Sequence, residues 1–288
     1  MSDVCKNWSE WLNKTRFSHL NEEQKVQTLN WLIAVRNVVL SKADIKEGEK
    51  IVDIGTGTGL LGFGVLEYFG NRVDLIFSDK FKDCLDECKK LLGEMKIKNN
   101  ASFLLSDCTD IKLEDNSIDK ALMRSVLVHI LDKQTAINEI YRILKPGGAF
   151  VAFEPIINTN TKYWELTSQS QITDWEEFKN AEDDFMSAED NPMTNFNQNT
   201  LAESLEAAGF SDGIIDVDTA VSKYTVDKNT IHNWLVTRPS PDEPNVYERF
   251  LNYFPKEKVD KYCAELEHAL SGKEVEIKTN TVFIKAIK

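Results

Sequence analysis

Between residues 50 and 153 the chain alternates short aliphatic runs with longer amphipathic stretches, and no other feature restricts the possible folds as much. Lys50 to Ile54, Arg72 to Phe77, Ala101 to Leu105, Lys120 to Met123 and Ala149 to Phe153 read as strands. Helices are expected from Leu60 to about Tyr68 and from Phe81 to about Met95. A third helix face is marked by Ala136, Ile137, Ile140, Ile143 and Leu144, and Pro146 and Gly147 terminate it. Strands joined through helices of this length run parallel, because a parallel pair needs a crossover connection. The expectation is an α/β, doubly wound, mostly parallel sheet with helices on both faces.

The flanks are less regular. Apolar residues at helical spacing from Asn21 to Leu40 predict a helix before the sheet, with Trp8, Trp11 and Trp31 adding aromatic bulk. Packing of that segment on the sheet is the simpler reading, and a tryptophan wall around a substrate is the alternative. Past Glu154 a polar, aromatic-studded stretch runs to a helix near Thr200, whose expected capping box is Thr200 and Glu203 and whose expected stop is Gly209. Gly213 to Val217 reads as a strand, Ser222 to Ser271 as an irregular insertion, and Thr279 to Ile287 as a final strand. The expected organisation is an N-terminal helical cap (1–45), a core (46–156, 198–221, 276–288), and two insertions (157–197, 222–275) that form a substrate lid.

Composition narrows the function classes. In 288 residues, 42% hydrophobic and 28% charged, there is material for one sizeable core, which excludes disorder throughout. A formal net charge of −13 repels phosphate backbones and anionic headgroups, which argues against bulk nucleic acid as substrate. No apolar run approaches the roughly 20 residues that cross a bilayer, and Met1 to Glu10 has no signal-peptide pattern, so a cytoplasmic location is expected. Five scattered cysteines read as free thiols. Cys84 and Cys88 lie one helical turn apart, but no histidine or second cysteine pair accompanies them; helix packing is expected there rather than a metal.

The chemistry concentrates in Ile51-Val-Asp-Ile-Gly55-Thr-Gly57-Thr-Gly59-Leu, where glycines between a buried strand and a helix let bare backbone approach a ligand beside a helix N-terminus. Gly57, Gly59 and Gly62 also satisfy the dinucleotide pattern, which keeps a nicotinamide-dependent oxidoreductase open as an alternative. Asp79, in Leu75-Ile-Phe-Ser-Asp79, places a carboxylate where ribose hydroxyls are bound, but that suits either cofactor.

Asp53-Ile-Gly55-Thr-Gly57-Thr-Gly59 resembles the first motif of the class I, Rossmann-like, S-adenosylmethionine-dependent methyltransferases, an acid followed by x-G-x-G-x-G. Ser106-Asp107-Cys108, Asp119 to Ile130 and Leu144-Lys-Pro-Gly-Gly148 extend the resemblance, which is strong over Lys50 to Pro155 and weaker over Thr200 to Val217 and Thr279 to Lys288. It implies a seven-stranded sheet with an antiparallel last strand, and a cofactor site of Asp53, Gly55, Thr56, Gly57, Gly59, Asp79, Lys80, Asp107, Cys108, Arg124 and Ser125. Asp53 would help hold the cofactor ammonium. Asp107 is the candidate acceptor for the adenine amino group, with Cys108 lining the ring and Asp110 and Asp119 as neighbouring alternatives.

Methyl transfer from a sulfonium chiefly requires positioning, and a general base only for a protonated acceptor. His129, Glu154 and Arg124, at expected carboxyl ends of strands, are the catalytic candidates: His129 as base, Glu154 to bind a cationic substrate, Arg124 to orient substrate or close the cofactor pocket. The Asn/Asp-Pro-Pro-aromatic motif of amino-methylating nucleic-acid enzymes is replaced by Arg124-Ser-Val-Leu. The paired-glutamate loop of arginine methyltransferases and the metal-binding acids of catechol-type enzymes also have no counterpart, so no metal is expected. The pattern is most similar to the branch that modifies quinones, sterols and natural products. A small-molecule acceptor would meet Arg16, Phe17, His19, Tyr163, Trp164, His232, Trp234 and Arg238. A protein that binds the cofactor without catalysis is the remaining alternative.

Overall fold

The computed structural model describes residues 4–18, 20–95 and 98–288; His19, an expected acceptor contact, lies outside them. The strands are β1 (Lys50–Ile54), β2 (Asp74–Asp79), β3 (Asn100–Leu105), β4 (Ile118–Arg124), β5 (Leu144–Pro155), β6 (Ser211–Thr225) and β7 (Glu274–Ile287). They form a seven-stranded sheet in the order β3-β2-β1-β4-β5-β7-β6. β1 to β5 pair parallel, and β7 runs antiparallel between β5 and β6. The expected sheet is thus observed, with its order reversing between β1 and β4, and that reversal opens a crevice at the carboxyl edge.

The helices are α1 (Val4–Asn13), α2 (Glu22–Ala43), α3 (Leu60–Phe69), α4 (Lys82–Met95), α5 (Lys133–Ile143), α6 (Trp175–Ser187), α7 (Gln198–Ala208), α8 (Lys228–Val236), α9 (Val246–Phe250) and α10 (Lys256–Leu270). Alternation along the strands sends Ile51, Leu75, Phe77 and Leu122 to a core shared with α2, α3 and α4. Val52, Ile54, Ile76 and Met123 point the other way, onto α5 and α7.

Several boundaries differ from the sequence reading for identifiable reasons. α5 stops at Ile143, ahead of Pro146, because Leu144 is already extended (ψ 140°) and Lys145, immediately before the proline, disfavours helix. α7 is capped by Asn197, whose side chain accepts from the Thr200 backbone N–H while Thr200 Oγ1 accepts from Asn197; Thr200 is the inner partner, and Gly209 ends the helix at φ 99° as expected. β6 continues eight residues past Val217, because its polar outer half is paired residue by residue with β7.

The segment read as irregular from Ser222 to Ser271 is instead the end of β6 followed by three helices. Together with α6 it forms a helical lobe with its own core, where Phe178 stacks on Tyr262 at 3.9 Å and meets Phe250 edge-on. β5 ends at Pro155 opposite Thr281, so residues 274–280 and their β6 partners overhang the carboxyl edge and carry this lobe above it. Among the described residues no helix is long and apolar enough to cross a membrane.

Candidate active site

β1 delivers Asp53 buried, 2% exposed, on the α3 side of the sheet. Its Oδ2 accepts from Thr56 Oγ1 at 2.7 Å and from the Gly62 backbone N–H at 2.9 Å. Gly59 offers no side chain to cap α3, so Asp53 supplies the anion at that helix start. Burial raises its carboxyl to about 7, against the pull of these two donors. The loop between them needs glycine for two separate reasons. Gly55 holds φ 63°, and a Cβ there would lie 2.4 Å from Val126 Cγ2. Gly57 holds φ 54° beneath α1, where a Cβ would come within 3.0 Å of Leu12 Cδ1.

Asp79, at the end of β2 and 6% exposed, ties down the far side of the loop. Its Oδ2 accepts from Gly57 N and its Oδ1 from Phe81 N, each at 2.9 Å, and burial raises its pKa despite both bonds. Each carboxylate oxygen keeps a second lone pair for a ligand hydroxyl.

These groups floor a cavity of about 590 Å³ at the carboxyl edge. Asp53, Gly55, Thr56, Gly57, Asp79, Lys80, Cys108, Arg124, Ser125 and His129 all line it, as do Arg16 and Arg238. Gly59 forms the turn into α3 (φ 85°), just behind the wall. Asp107 does not reach the wall: its Oδ1 is turned onto Thr109, accepting from N at 3.0 Å and Oγ1 at 2.9 Å. The neighbouring Ser106 lines the cavity instead. Asp110 pairs with Lys112 in solvent, and Asp119 is engaged by Lys145 and the Lys50 backbone, so neither alternative reaches the site.

Glu154 corrects the expectation of a contact to a cationic substrate. It is fully buried, and its Oε1 accepts from the backbone N–H groups of Val126 (2.9 Å) and Leu127 (3.0 Å), while Oε2 accepts from Val128 (3.1 Å). It thereby anchors the 3₁₀ turn Leu127–His129 from below, and burial pushes its carboxyl up to about 7 against those three donors. His129 projects from that turn with its ring edge-on to Trp8 at 5.2 Å. Burial, and then the charges of Arg16 and Lys80, hold the imidazole down at about 4, so it is neutral at pH 7 and only a weak proton acceptor. Ser125, between Arg124 and the turn, holds φ 53°, a left-handed strain of order 1 kcal/mol, pinned by its N–H to Phe153 O at 2.8 Å.

Four expected acceptor contacts belong to the helical lobe instead. Tyr163 donates its hydroxyl to Trp234 O at 3.0 Å and stacks on the Trp234 ring, Trp164 donates Nε1 to Asp183, and His232 is exposed on α8; none lines the cavity. The lobe contributes a loop instead, residues 237–243, in which Arg238 pairs with Glu248 at the rim. α1 closes the opposite side. Trp8 stacks on Phe81 at 5.2 Å and donates Nε1 to Asp242 at 3.0 Å, and Trp11 joins it edge-on, so these two tryptophans line the cavity while α2 packs on the sheet as expected. Trp31 packs on Phe153 away from the cavity. Phe81 was not expected here, and of the 237–243 loop only Arg238 was. The Pro239 and Pro241 interruption hinted at the loop, while nothing distinguished Phe81 from a core aromatic.

Sheet order, the buried acid before a left-handed glycine loop and the second acid one strand over define the chain as a class I, Rossmann-like methyltransferase fold. A family model described as a methyltransferase domain matches residues 45–235, and the chain belongs to that family. The ubiquinone/menaquinone biosynthesis C-methyltransferase UbiE of Vibrio cholerae is 24% identical over 169 residues, 57% of this chain and 65% of that protein. Its counterpart in Psychromonas ingrahamii is 26% identical over 127 residues, 43% of this chain and 51% of that protein. The chain thus matches only about half to two-thirds of the length of these relatives. Among solved structures, a Bacillus halodurans protein described as a putative methyltransferase superposes with a TM-score of 0.55 at 13% identity, covering 88% of this chain and 99% of its own. Phosphoethanolamine N-methyltransferase 2 of Haemonchus contortus, solved with S-adenosyl-L-methionine, gives 0.53 at 19% identity, covering 98% of this chain and 60% of its own. These likenesses establish the fold.

Proposed function

We propose that this chain transfers a methyl group from S-adenosylmethionine to a small-molecule acceptor. The observation that carries the reading is the pair of buried carboxylates, Asp53 and Asp79, bracketing a left-handed glycine loop at the floor of the cavity. The strand-end acid Asp79 suits any adenosine-type cofactor, whereas an acid two residues before the first glycine favours a ligand with an ammonium group and disfavours the nicotinamide alternative. A structure with the same fold was solved with this cofactor.

The cofactor, when bound, supplies an electrophilic methyl on a sulfonium. The chain's own residues would do the rest. The free lone pairs of Asp79 would accept the ribose hydroxyls, and Ser106, Cys108 and Phe81 would form the slot for the adenine. Bare backbone at Gly55 and Gly57 would let the amino-acid portion settle against the loop, with Asp53 beneath it. His129 would hold the acceptor by accepting a hydrogen bond rather than by removing a proton. α1 and the 237–243 loop would exclude water, and the cavity as a whole, about 590 Å³, is in the range of small-molecule sites.

Calorimetry tests this directly. S-adenosylhomocysteine should bind and NAD should not; tight NAD binding with no response to S-adenosylhomocysteine would overturn the reading. Asp79→Ala should weaken S-adenosylhomocysteine by more than about tenfold, roughly 1.4 kcal/mol, with unchanged circular dichroism. Unaltered affinity in that variant would mean the ribose lies elsewhere.

A further inference from the structure

The charges on the cavity wall are unevenly satisfied. Each carboxylate there is already engaged within the chain: Asp53 by Thr56 and Gly62, Asp79 by Gly57 and Phe81, Asp242 by Trp8, and Glu243 by Arg249 at 2.7 Å. Three cations are not, and one of them, Lys80, is solvent-exposed with its ammonium over the Phe81 ring at 5.0 Å; the other two are less exposed. Arg124, at the end of β4, has its Nε and Nη2 buried with no hydrogen-bond partner among the described residues. Arg16 has ring contacts only, its guanidinium 5.4 Å from the Trp11 centroid and 5.3 Å from Phe17, with no ion pair among the described residues. Stacking on ring faces leaves the N–H edges of a guanidinium available.

We infer that Arg16 and Arg124 form an anion subsite for the methyl acceptor, which therefore carries a carboxylate or a phosphate. The inference rests on the methyl-transfer reading above. Its physical ground is hydrogen-bond satisfaction at Arg124. Leaving buried guanidinium N–H groups unpaired, as at Arg124, is strongly unfavourable, and the Arg16 guanidinium facing the same cavity repels it as well. Burial first and the Arg16 charge second hold Arg124 down at about 10, against the opposing pull of Glu154 and Asp53. The cofactor cannot neutralise both, because its single carboxylate is outweighed by its own ammonium and sulfonium. An anion on the acceptor would supply the paired oxygens that these donors lack. A planar fork of N–H donors matches carboxylate or phosphate oxygens in pairs, so the subsite also fixes which end of the acceptor faces the methyl group.

The test uses the full-length protein saturated with S-adenosylhomocysteine, titrated by NMR with inorganic phosphate, benzoate and the neutral isostere benzamide. At least one anion is expected to bind about tenfold or more tighter than benzamide, and Arg16→Gln and Arg124→Gln are each expected to remove about that factor. Arg124→Lys keeps the charge and guards against loss of folding in the glutamine variant; it should retain part of the preference. A parallel titration compares S-adenosylhomocysteine with 5′-methylthioadenosine, which lacks the amino-acid portion. Equal binding of benzoate and benzamide with no response to phosphate overturns the subsite. It is equally overturned if both glutamine variants weaken S-adenosylhomocysteine but not methylthioadenosine and leave the anion titrations unchanged, since the arginines would then serve the cofactor carboxylate. Failure of wild-type protein to bind S-adenosylhomocysteine at all would instead remove the methyl-transfer reading beneath it.

Discussion

Glu154 and His129 divide between them the roles that their sequence positions left open. Glu154 presents two oxygens to three backbone donors beneath the Leu127–His129 turn. Glu154→Gln keeps one acceptor oxygen but turns an NH₂ toward a buried N–H, which should lower unfolding stability by about 1–3 kcal/mol. Urea denaturation measures it, and a glutamine variant as stable as wild type would deny the anchoring role. His129 has its pKa depressed by burial to about 4, below the ordinary unfolded value near 6.5. The unfolded chain therefore takes up the proton first, so the stability from this residue is present above pH 6.5 and is lost as pH falls toward 4. Asp53 and Glu154, raised to about 7, act in the opposite direction over the same range, so the effect must be isolated by difference. The stability gap between wild type and His129→Gln should shrink by on the order of 1–2 kcal/mol between pH 7.5 and pH 5. A gap independent of pH would show that the imidazole is not desolvated.

Among the elements, the core strands and helices were legible because burial on both faces writes long aliphatic runs, and the glycine loop was legible because positive φ demands a particular residue. Asp53 and Asp79 were legible because they follow those runs at fixed offsets. Asp107 and Glu154 were not. Whether a strand-end acid turns to the cavity, to a nearby threonine or to three backbone amides depends on side-chain direction, which spacing does not encode. α1 was undervalued for a related reason: Trp8 and Trp11 acquire a role only through Phe81, His129 and Asp242, which come from distant parts of the chain. Trp8→Ala removes the stack on Phe81 and the tie to Asp242 together. It should speed S-adenosylhomocysteine release by about tenfold, as expected for opening a closed site, with little change in melting temperature. Stopped-flow dissociation reads it, and an unchanged release rate would deny that α1 covers the cofactor.

The molecule as a whole joins two cores, one around the sheet and one in the helical lobe. The second was invisible in sequence because its aromatics, Phe178, Phe185, Phe250 and Tyr262, come from two insertions that read as unrelated. That misreading also assigned Tyr163, Trp164 and Trp234 to the acceptor, when their rings and hydrogen bonds hold the lobe together.

The overhang of β6 and β7 works as a spacer of quantised length. Lengthening both strands by one residue would turn every side chain beyond the insertion to the opposite face, whereas two residues in each would keep the facing and raise the roof by about 7 Å. Headroom over the cavity is thereby adjustable in discrete increments by the hairpin alone, without disturbing the acids and glycines below.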